Sequence, residues 1–202
     1  MHDRTREPAR LAVLASGGGS NLQALIDAHQ RGDLPCPIVL VISNHADAGA
    51  LSRAAHHGIA AHYVSRKTDP DPSARILELL REHRVDVVVL AGWLSLIEPS
   101  LIAAFRGRIV NIHPAPLPRF GGKGMYGLHV HRAVLAAGVA STGPTIHLVD
   151  ERYDEGQPLA HVEVPVEPGD TPETLQQRVL RAEHELYWRV LRDQFGAIDP
   201  VA

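Results

Sequence analysis

Through the first 113 residues, short apolar runs alternate with stretches whose apolar residues recur every three or four positions. Residues 11–15 (LAVLA) fit a buried strand. NLQALIDAHQRG (21–32) carries Leu22, Leu25 and Ile26 at helical spacing, with Gly32 as a C-terminal stop. PIVLVISN (37–44) predicts a second buried strand, residues 47–57 a helix ending at Gly58, and IAAHYV (59–64) a short third strand. DPSARILELLREHR (71–84) is amphipathic, with Ile76, Leu77 and Leu80 on one side. VDVVVLAG (85–92) is the clearest strand, PSLIAAF (99–105) a short helix with Pro99 in its first turn, and RIVNIH (108–113) a further strand. This alternation, with strands apolar almost throughout, specifies an α/β fold: a mostly parallel sheet covered on both faces.

After residue 114 the rhythm changes. A glycine-rich loop, RFGGKGMYG (119–127), leads to a helix near 128–137. TGPTIHLV (142–149) and PLAHVEVPV (158–166), separated by DERYDEGQ, read as antiparallel or mixed strands added to the sheet. Residues 171–195 form a long helix, with Thr171 as N-cap, Pro172 at the first helical position and Glu173 in the first turn. No repeat, low-complexity tract or linker interrupts the chain. We therefore expect one domain over 1–202, its halves being about 10–113 and 114–195.

Composition narrows the class. The 202 residues are 45% apolar and 21% charged, with a net charge of −3, so no basic field points to nucleic acid. No apolar run approaches the roughly 20 residues that span a bilayer. The start, MHDRTREPAR, is charged and has no apolar stretch of a secretory signal, so a cytoplasmic protein is expected. Cys36 is the only cysteine, which rules out a disulfide framework or a cysteine zinc site.

Three features carry candidate chemistry. The first is LAVLASGGGSNLQAL, a strand, a glycine turn and a helix start. Glycines there permit close ligand approach, and N–H groups at a helix start attract an anion. Gly17 and Gly19 fit the dinucleotide fingerprint but its third position is Leu22, and no G-K-[ST] follows. A single phosphate monoester is the expected ligand, on Gly18, Gly19, Ser20 and Asn21. The bland alternative is a tight turn with Ser20 or Asn21 as N-cap. The second feature is IVNIHPAPLP (109–118). Asn111 and His113, two apart on a strand, project to one face at its carboxyl end, and Pro114, Pro116 and Pro118 stiffen the exit. Such a pair can donate to a developing oxyanion, or His113 can simply cap a loop. The third is HLVDERYDEG, where Asp150, Glu151, Asp154 and Glu155 are all candidates for a carboxylate partner. The 13 histidines include no H-E-x-x-H, and no metal site is expected.

These stretches have a familiar order. ASGGGSNLQALID, VISNHADA, DVVVLAGWL, RIVNIHPAPLP, STGPTIHLVDERYDEGQPL and HVEVPVEPGDTPETLQQRVLRAEHELY resemble, over roughly residues 10–190, the folate-dependent glycinamide ribonucleotide formyltransferases of purine synthesis. The resemblance implies the formyltransferase fold, a three-layer Rossmann-like domain, and transfer of a formyl group from 10-formyltetrahydrofolate to the amine of glycinamide ribonucleotide. It implies that 114–195 is the folate-side half, and that Asn111, His113 and Asp154 are the catalytic residues. Asp154 is singled out by the family's H-x-V-x-x-x-x-D spacing from His147. His147 and Thr145 support the site, Thr145 standing where many relatives carry Ser. The loop 18–21 matches the phosphate site, and Glu183 the acid that binds the ribose hydroxyls. Trp93, Leu94, Ser95, Leu96, Ile97 and Asp150 match the wall of the folate pocket, and Arg66 a basic residue on the folate side.

The implied chemistry is direct attack of the amine on the formyl carbon. Asn111 and a protonated His113 stabilise the oxyanion, and Asp154 keeps His113 charged. One departure stands out: many relatives have a short PG where this chain has the longer RFGGKGMYG, whose Arg119 and Lys123 either hold an anion or are solvated. The alternatives are a water-using formyltetrahydrofolate deformylase, a methionyl-tRNA formyltransferase, disfavoured by length and charge, or a non-catalytic sugar-phosphate module. A monomer or a homodimer is expected.

Overall fold

Along β1 (Leu11–Leu14) successive side chains point to opposite faces, and both faces are buried. Leu11 and Val13 enter one apolar cluster, Ala12 and Leu14 another. That explains why this strand reads as a continuous apolar run. The structure, a computed structural model, describes residues 7–198, so most of the charged leading segment read above lies outside the described residues.

The elements after β1 run in the expected alternation: α1 (Ser20–Arg31), β2 (Ile38–Ser43), α2 (Gly49–His56), β3 (Ala60–Tyr63), α3 (Pro72–Glu82), β4 (Val87–Leu90), α4 (Pro99–Ala104) and β5 (Ile109–His113). Then follow α5 (Leu128–Ala136), β6 (Ser141–Thr142), β7 (Thr145–Leu148), β8 (Pro158–His161), β9 (Val164–Pro165) and α6 (Pro172–Phe195). The main sheet has the order β3-β2-β1-β4-β5-β7-β8. Its first five strands are parallel, and β7 and β8 add antiparallel, which meets the expectation of a mostly parallel sheet with an antiparallel extension. Residues of α1, α2 and α6 cover one face, and residues of α3 and α4 the other. Each fully buried Leu, Ile or Val contributes about 1.5–3 kcal/mol. The strand ends that carry the site therefore rest on buried strands.

The two C-terminal strand candidates each break in two. β6 and β7 are separated by Gly143 and Pro144; Gly143 has φ 133, and a side chain there would run into the Val162 carbonyl. β6 pairs with β9 in a separate two-stranded sheet, while β7 and β8 stay in the main one. Period-two patterning cannot reveal such a switch, because both halves keep the same alternation.

Helix α6 begins as expected: the Thr171 hydroxyl accepts from the Thr174 N–H at 3.2 Å, and the Thr174 hydroxyl from the Thr171 N–H at 2.9 Å. Its first half packs Leu175 and Val179 with Ala115, Phe120, Val130 and Val134. Its second half packs Tyr187, Trp188, Leu191 and Phe195 against the sheet. The buried Tyr187 hydroxyl lies 3.0 Å from the carbonyls of both Leu90 and Val110. This ties α6 to the two strand ends from which the site projects.

Candidate active site

Chain direction across the sheet reverses between β1 and β4, and ligands of open α/β sheets bind beyond the strand carboxyl ends at such a reversal. The two strand ends are stitched together here. The Ser16 N–H donates to the Gly92 carbonyl at 3.0 Å, and the Leu94 N–H to the Ser16 hydroxyl at 3.0 Å. A cavity of about 690 Å³ opens at this point.

One end of the cavity lies at the start of α1. No side chain caps this helix; its N-cap is Gly19, in the left-handed region at φ 76. The structure thus departs from the Ser20 or Asn21 cap of the simple-turn alternative. The N–H groups of Gly18, Gly19 and Ser20 donate to no backbone carbonyl among the described residues. The neighbouring α2 instead occupies the loop's acceptors, since the Ala50 N–H binds the Gly17 carbonyl at 3.1 Å and Arg53 Nε the Gly18 carbonyl at 2.8 Å. Free donors at an uncapped helix start suit an anion. Ser20 lines the cavity, whereas Gly18 and Gly19, which precede it in the chain, are not part of the lining.

Asn21 lines the cavity beside Ser20. Its amide Nδ2 donates to Glu183 Oε2 at 2.7 Å, so it is committed to Glu183 rather than offered to the loop. Its Oδ1 has no partner among the described residues. Glu183 is 8% exposed, and burial pushes its carboxyl pKa upward, opposed only in part by Asn21. The folded chain then holds this proton more tightly than the unfolded chain. The group's contribution is most favourable below the ordinary carboxylate pKa, and stability falls as pH rises through the raised value. Glu183→Gln is therefore expected to raise the melting temperature by about 2–4 °C at pH 8 and by less at pH 5. Melting curves at the two pH values check this.

The centre of the cavity is built by β5 and its antiparallel partner β7. Register pairs Asn111 with His147 and His113 with Thr145. Asn111 Nδ2 lies 3.0 Å from His147 Nε2, and His147 Nδ1 lies 2.9 Å from the Leu148 carbonyl. A carbonyl only accepts, so His147 carries its hydrogen on Nδ1, and Nε2 accepts one of the two Asn111 hydrogens. The second Asn111 hydrogen is left for a ligand.

Asp154 reaches the same point from the loop after β7. Its Oδ2 is 3.7 Å from His113 Nδ1 and its Oδ1 is 3.6 Å from His147 Nε2. The Gly122 N–H donates to Oδ2 at 2.9 Å. Asp154 adopts φ 54, a left-handed conformation that Asp and Asn tolerate better than most residues. Burial alone would raise its pKa, but His147, the Gly122 N–H and His113 outweigh it and hold the carboxyl below its usual value.

His113 is 4% exposed, and its Nε2 lies 2.7 Å from the Phe120 carbonyl. Burial lowers its pKa, and the Asp154 charge and the Phe120 carbonyl recover only part of that loss. The environment of His113 thus weighs against the imidazolium, and Asp154 is the charge that favours it. A carbonyl only accepts, so Nε2 carries a hydrogen, and Nδ1 faces Asp154.

The cavity wall includes Trp93, Leu94, Ser95, Leu96, Ile97 and Asp150, as anticipated. Asn44 Nδ2 donates to the Ser95 hydroxyl at 2.8 Å and anchors that segment. Besides Gly18 and Gly19, two anticipated residues do not reach the cavity. Thr145 is buried behind it, its hydroxyl donating to the Ala115 carbonyl at 2.9 Å, where it holds the exit of β5. Arg66 is exposed in the turn between β3 and α3, outside the wall, because that connection runs past β2 on the far side of β1.

Apart from Lys123, offered above as a possible anion holder, several wall residues were not anticipated from sequence. Residues 122–127 of the glycine-rich insert, His131 of α5, and Gln176 and Leu180 of α6 all face the cavity. For α6 a signal existed: Gln176, Leu180 and Glu183 follow the three-to-four spacing of one helix face. Of the insert's two cations, Lys123 lines the cavity, whereas Arg119 lies over the Phe120 ring, 5.1 Å from its centroid. Among the described residues, no cluster of three or more His, Cys, Asp or Glu side chains is arranged for a metal ion, and no helix is long and apolar enough to cross a membrane.

Comparison with known proteins gives a consistent match. The Formyl transferase family model matches residues 9–191. The chain is 45% identical over 194 residues to an Arabidopsis thaliana protein named phosphoribosylglycinamide formyltransferase, chloroplastic, covering 93% of this chain and 66% of that one, just short of two thirds. It is 38% identical to the Escherichia coli phosphoribosylglycinamide formyltransferase, covering 88% of this chain and 82% of the relative. The crystal structure of glycinamide ribonucleotide transformylase 1 from Geobacillus kaustophilus superposes with a TM-score of 0.87 at 41% identity, covering 94% of this chain and all of that one (100%).

Proposed function

The chain belongs to the formyl transferase family, and from that footing we propose that it transfers the formyl group of 10-formyltetrahydrofolate to the amine of glycinamide ribonucleotide. We include in the proposal a cytoplasmic setting and action as one domain, since α6 packs against both halves of the chain. The observation that carries the reading is the convergence of Asn111, His113 and Asp154 in one cavity, between an uncapped helix start and a largely apolar wall.

In this reading the phosphate binds the N–H groups of 18–20, and Glu183 receives the ribose hydroxyls. The substrate amine attacks the formyl carbon, and the carbonyl electrons move to oxygen. The free Asn111 hydrogen meets that oxyanion, an effect worth about 3–4 kcal/mol for a well-placed donor. His113 Nδ1 takes the proton from the attacking nitrogen, and the Asp154 charge stabilises the imidazolium so formed. The proton then passes to the folate nitrogen as its bond to carbon breaks. Tetrahydrofolate leaves and His113 returns to its neutral state.

A turnover assay with both substrates and mass identification of products tests the reading. The expected result is one formylated ribonucleotide per tetrahydrofolate, with no folate release when the ribonucleotide is omitted. Release of formate without an acceptor would instead identify a hydrolase. The phosphate loop has its own test in Gly19→Val. A Cβ at position 19 would sit 2.9 Å from Ala50 Cα, in a backbone conformation that Val resists. The variant is expected to lose about 1–3 kcal/mol of stability. It should also raise KM for the ribonucleotide at least tenfold, while KM for the folate stays near wild type. An unchanged ribonucleotide KM contradicts the phosphate assignment.

A further inference from the structure

Apart from histidines, two cationic side chains line the cavity, Lys123 and Arg152. Arg152 is already engaged, with Glu155 at 2.7 Å and Asp150 at 3.7 Å. Lys123 pairs with no carboxylate among the described residues. Lys123 is exposed at the cavity, so its ammonium is free to meet an anion that enters from outside.

The backbone that presents Lys123 is held firmly. Phe120, three residues before it, accepts from His113 Nε2 at 2.7 Å, and the adjacent Gly122 donates to Asp154 Oδ2 at 2.9 Å. The Met125 N–H closes a turn onto the Gly122 carbonyl at 3.0 Å. Gly122 and Gly124, on either side of Lys123, take φ 101 and φ 89, which side chains disfavour. Gly121 leaves no room for a Cβ, which would lie 2.9 Å from Asp154 Cβ. The Gly-Gly-Lys-Gly sequence is thus the local solution that wraps Asp154 closely and still delivers one long cation to the cavity.

We infer that Lys123 is an anion-recognition and specificity-determining residue of this site, its ammonium meeting an oxyanion carried by a substrate. The identity of that anion rests on the formyl-transfer reading, which supplies two sources: the phosphate of the ribonucleotide and the carboxylates of the folate's glutamate tail. Both are oxyanions within the chemistry of a flexible ammonium.

Ligand titrations distinguish the sources without requiring turnover. Ribose 5-phosphate and p-aminobenzoylglutamate are each titrated at low salt into the wild type and into Lys123→Gln, Lys123→Arg and Arg132→Gln. Arg132 is exposed on α5 outside the cavity wall and controls for net charge. One probe is expected to lose about tenfold in affinity in Lys123→Gln, the size of a charge-assisted hydrogen bond, and to recover most of it in Lys123→Arg. Loss confined to ribose 5-phosphate assigns the phosphate; loss confined to p-aminobenzoylglutamate assigns the carboxylate tail. Unchanged affinity for both probes in Lys123→Gln, an equal loss in Arg132→Gln, or no binding of either probe by the wild type overturns the inference. A wild type that binds a probe through Lys123 yet transfers no formyl group contradicts the proposed reaction and leaves Lys123 assigned.

Discussion

Asp154→Asn is expected to lower kcat by about 10²–10³-fold, the range of a lost proton-transfer contribution, while KM for either substrate moves less than about threefold. Few substitutions isolate a charge so cleanly. The φ of 54 at this position is one that Asn tolerates, so the backbone need not move. The amide oxygen still accepts from the Gly122 N–H, now at 2.9 Å from Oδ2, so the glycine-rich loop keeps its anchor. What disappears is the negative charge 3.7 Å from His113 Nδ1. Burial already disfavours the imidazolium, so without Asp154 the proton accepted from the attacking amine has no compensating charge. Steady-state kinetics beside a thermal melt check the expectation. A folded variant with near-normal kcat would remove Asp154 from the chemistry.

His113→Ala is expected to be more severe, with kcat down by about 10³-fold or more and the protein still folded. The substitution removes the base and also leaves the Phe120 carbonyl without its 2.7 Å partner. The lost hydrogen bond and the space left behind make a stability loss of about 1–3 kcal/mol expected. The double variant carries further information. If Asp154 acts through His113, adding Asp154→Asn to His113→Ala lowers kcat little beyond the single change, since the two residues work as a unit. Multiplying effects would mean that they act separately.

How much of this was legible beforehand depends on the distance over which each signal acts. The parallel half of the sheet was legible, because strands such as VVVL are apolar on both faces and glycines and prolines mark their ends. The start of α6 was legible from Thr171 and Pro172 for the same local reason. The split of the C-terminal strands was not, since what excludes a side chain at Gly143 is the Val162 carbonyl, a neighbour distant in sequence. At the site, Asn111 and His113 could be grouped from their spacing on one strand. Their partner could not be chosen by chemistry from Asp150, Glu151, Asp154 and Glu155. That choice came from family resemblance, and the structure brings Asp154 to both histidines through a left-handed turn that composition does not announce. The downward push of burial on the His113 pKa was not legible, because desolvation sums contributions from the whole surrounding core. The choice between an anion site and a solvated loop for the insert could not be made, because a loop's path is a tertiary outcome.

The most direct measurement is a crystal structure of the protein with glycinamide ribonucleotide and a folate analogue that cannot transfer its formyl group. The expected electron density has the phosphate on the N–H groups of residues 18–20. The amine should lie about 3–3.5 Å from the formyl carbon, with Asn111 Nδ2 and His113 Nδ1 within hydrogen-bond reach of the reacting atoms. A ribonucleotide seated elsewhere, or an amine turned away from His113 and Asp154, would contradict the proposed catalysis.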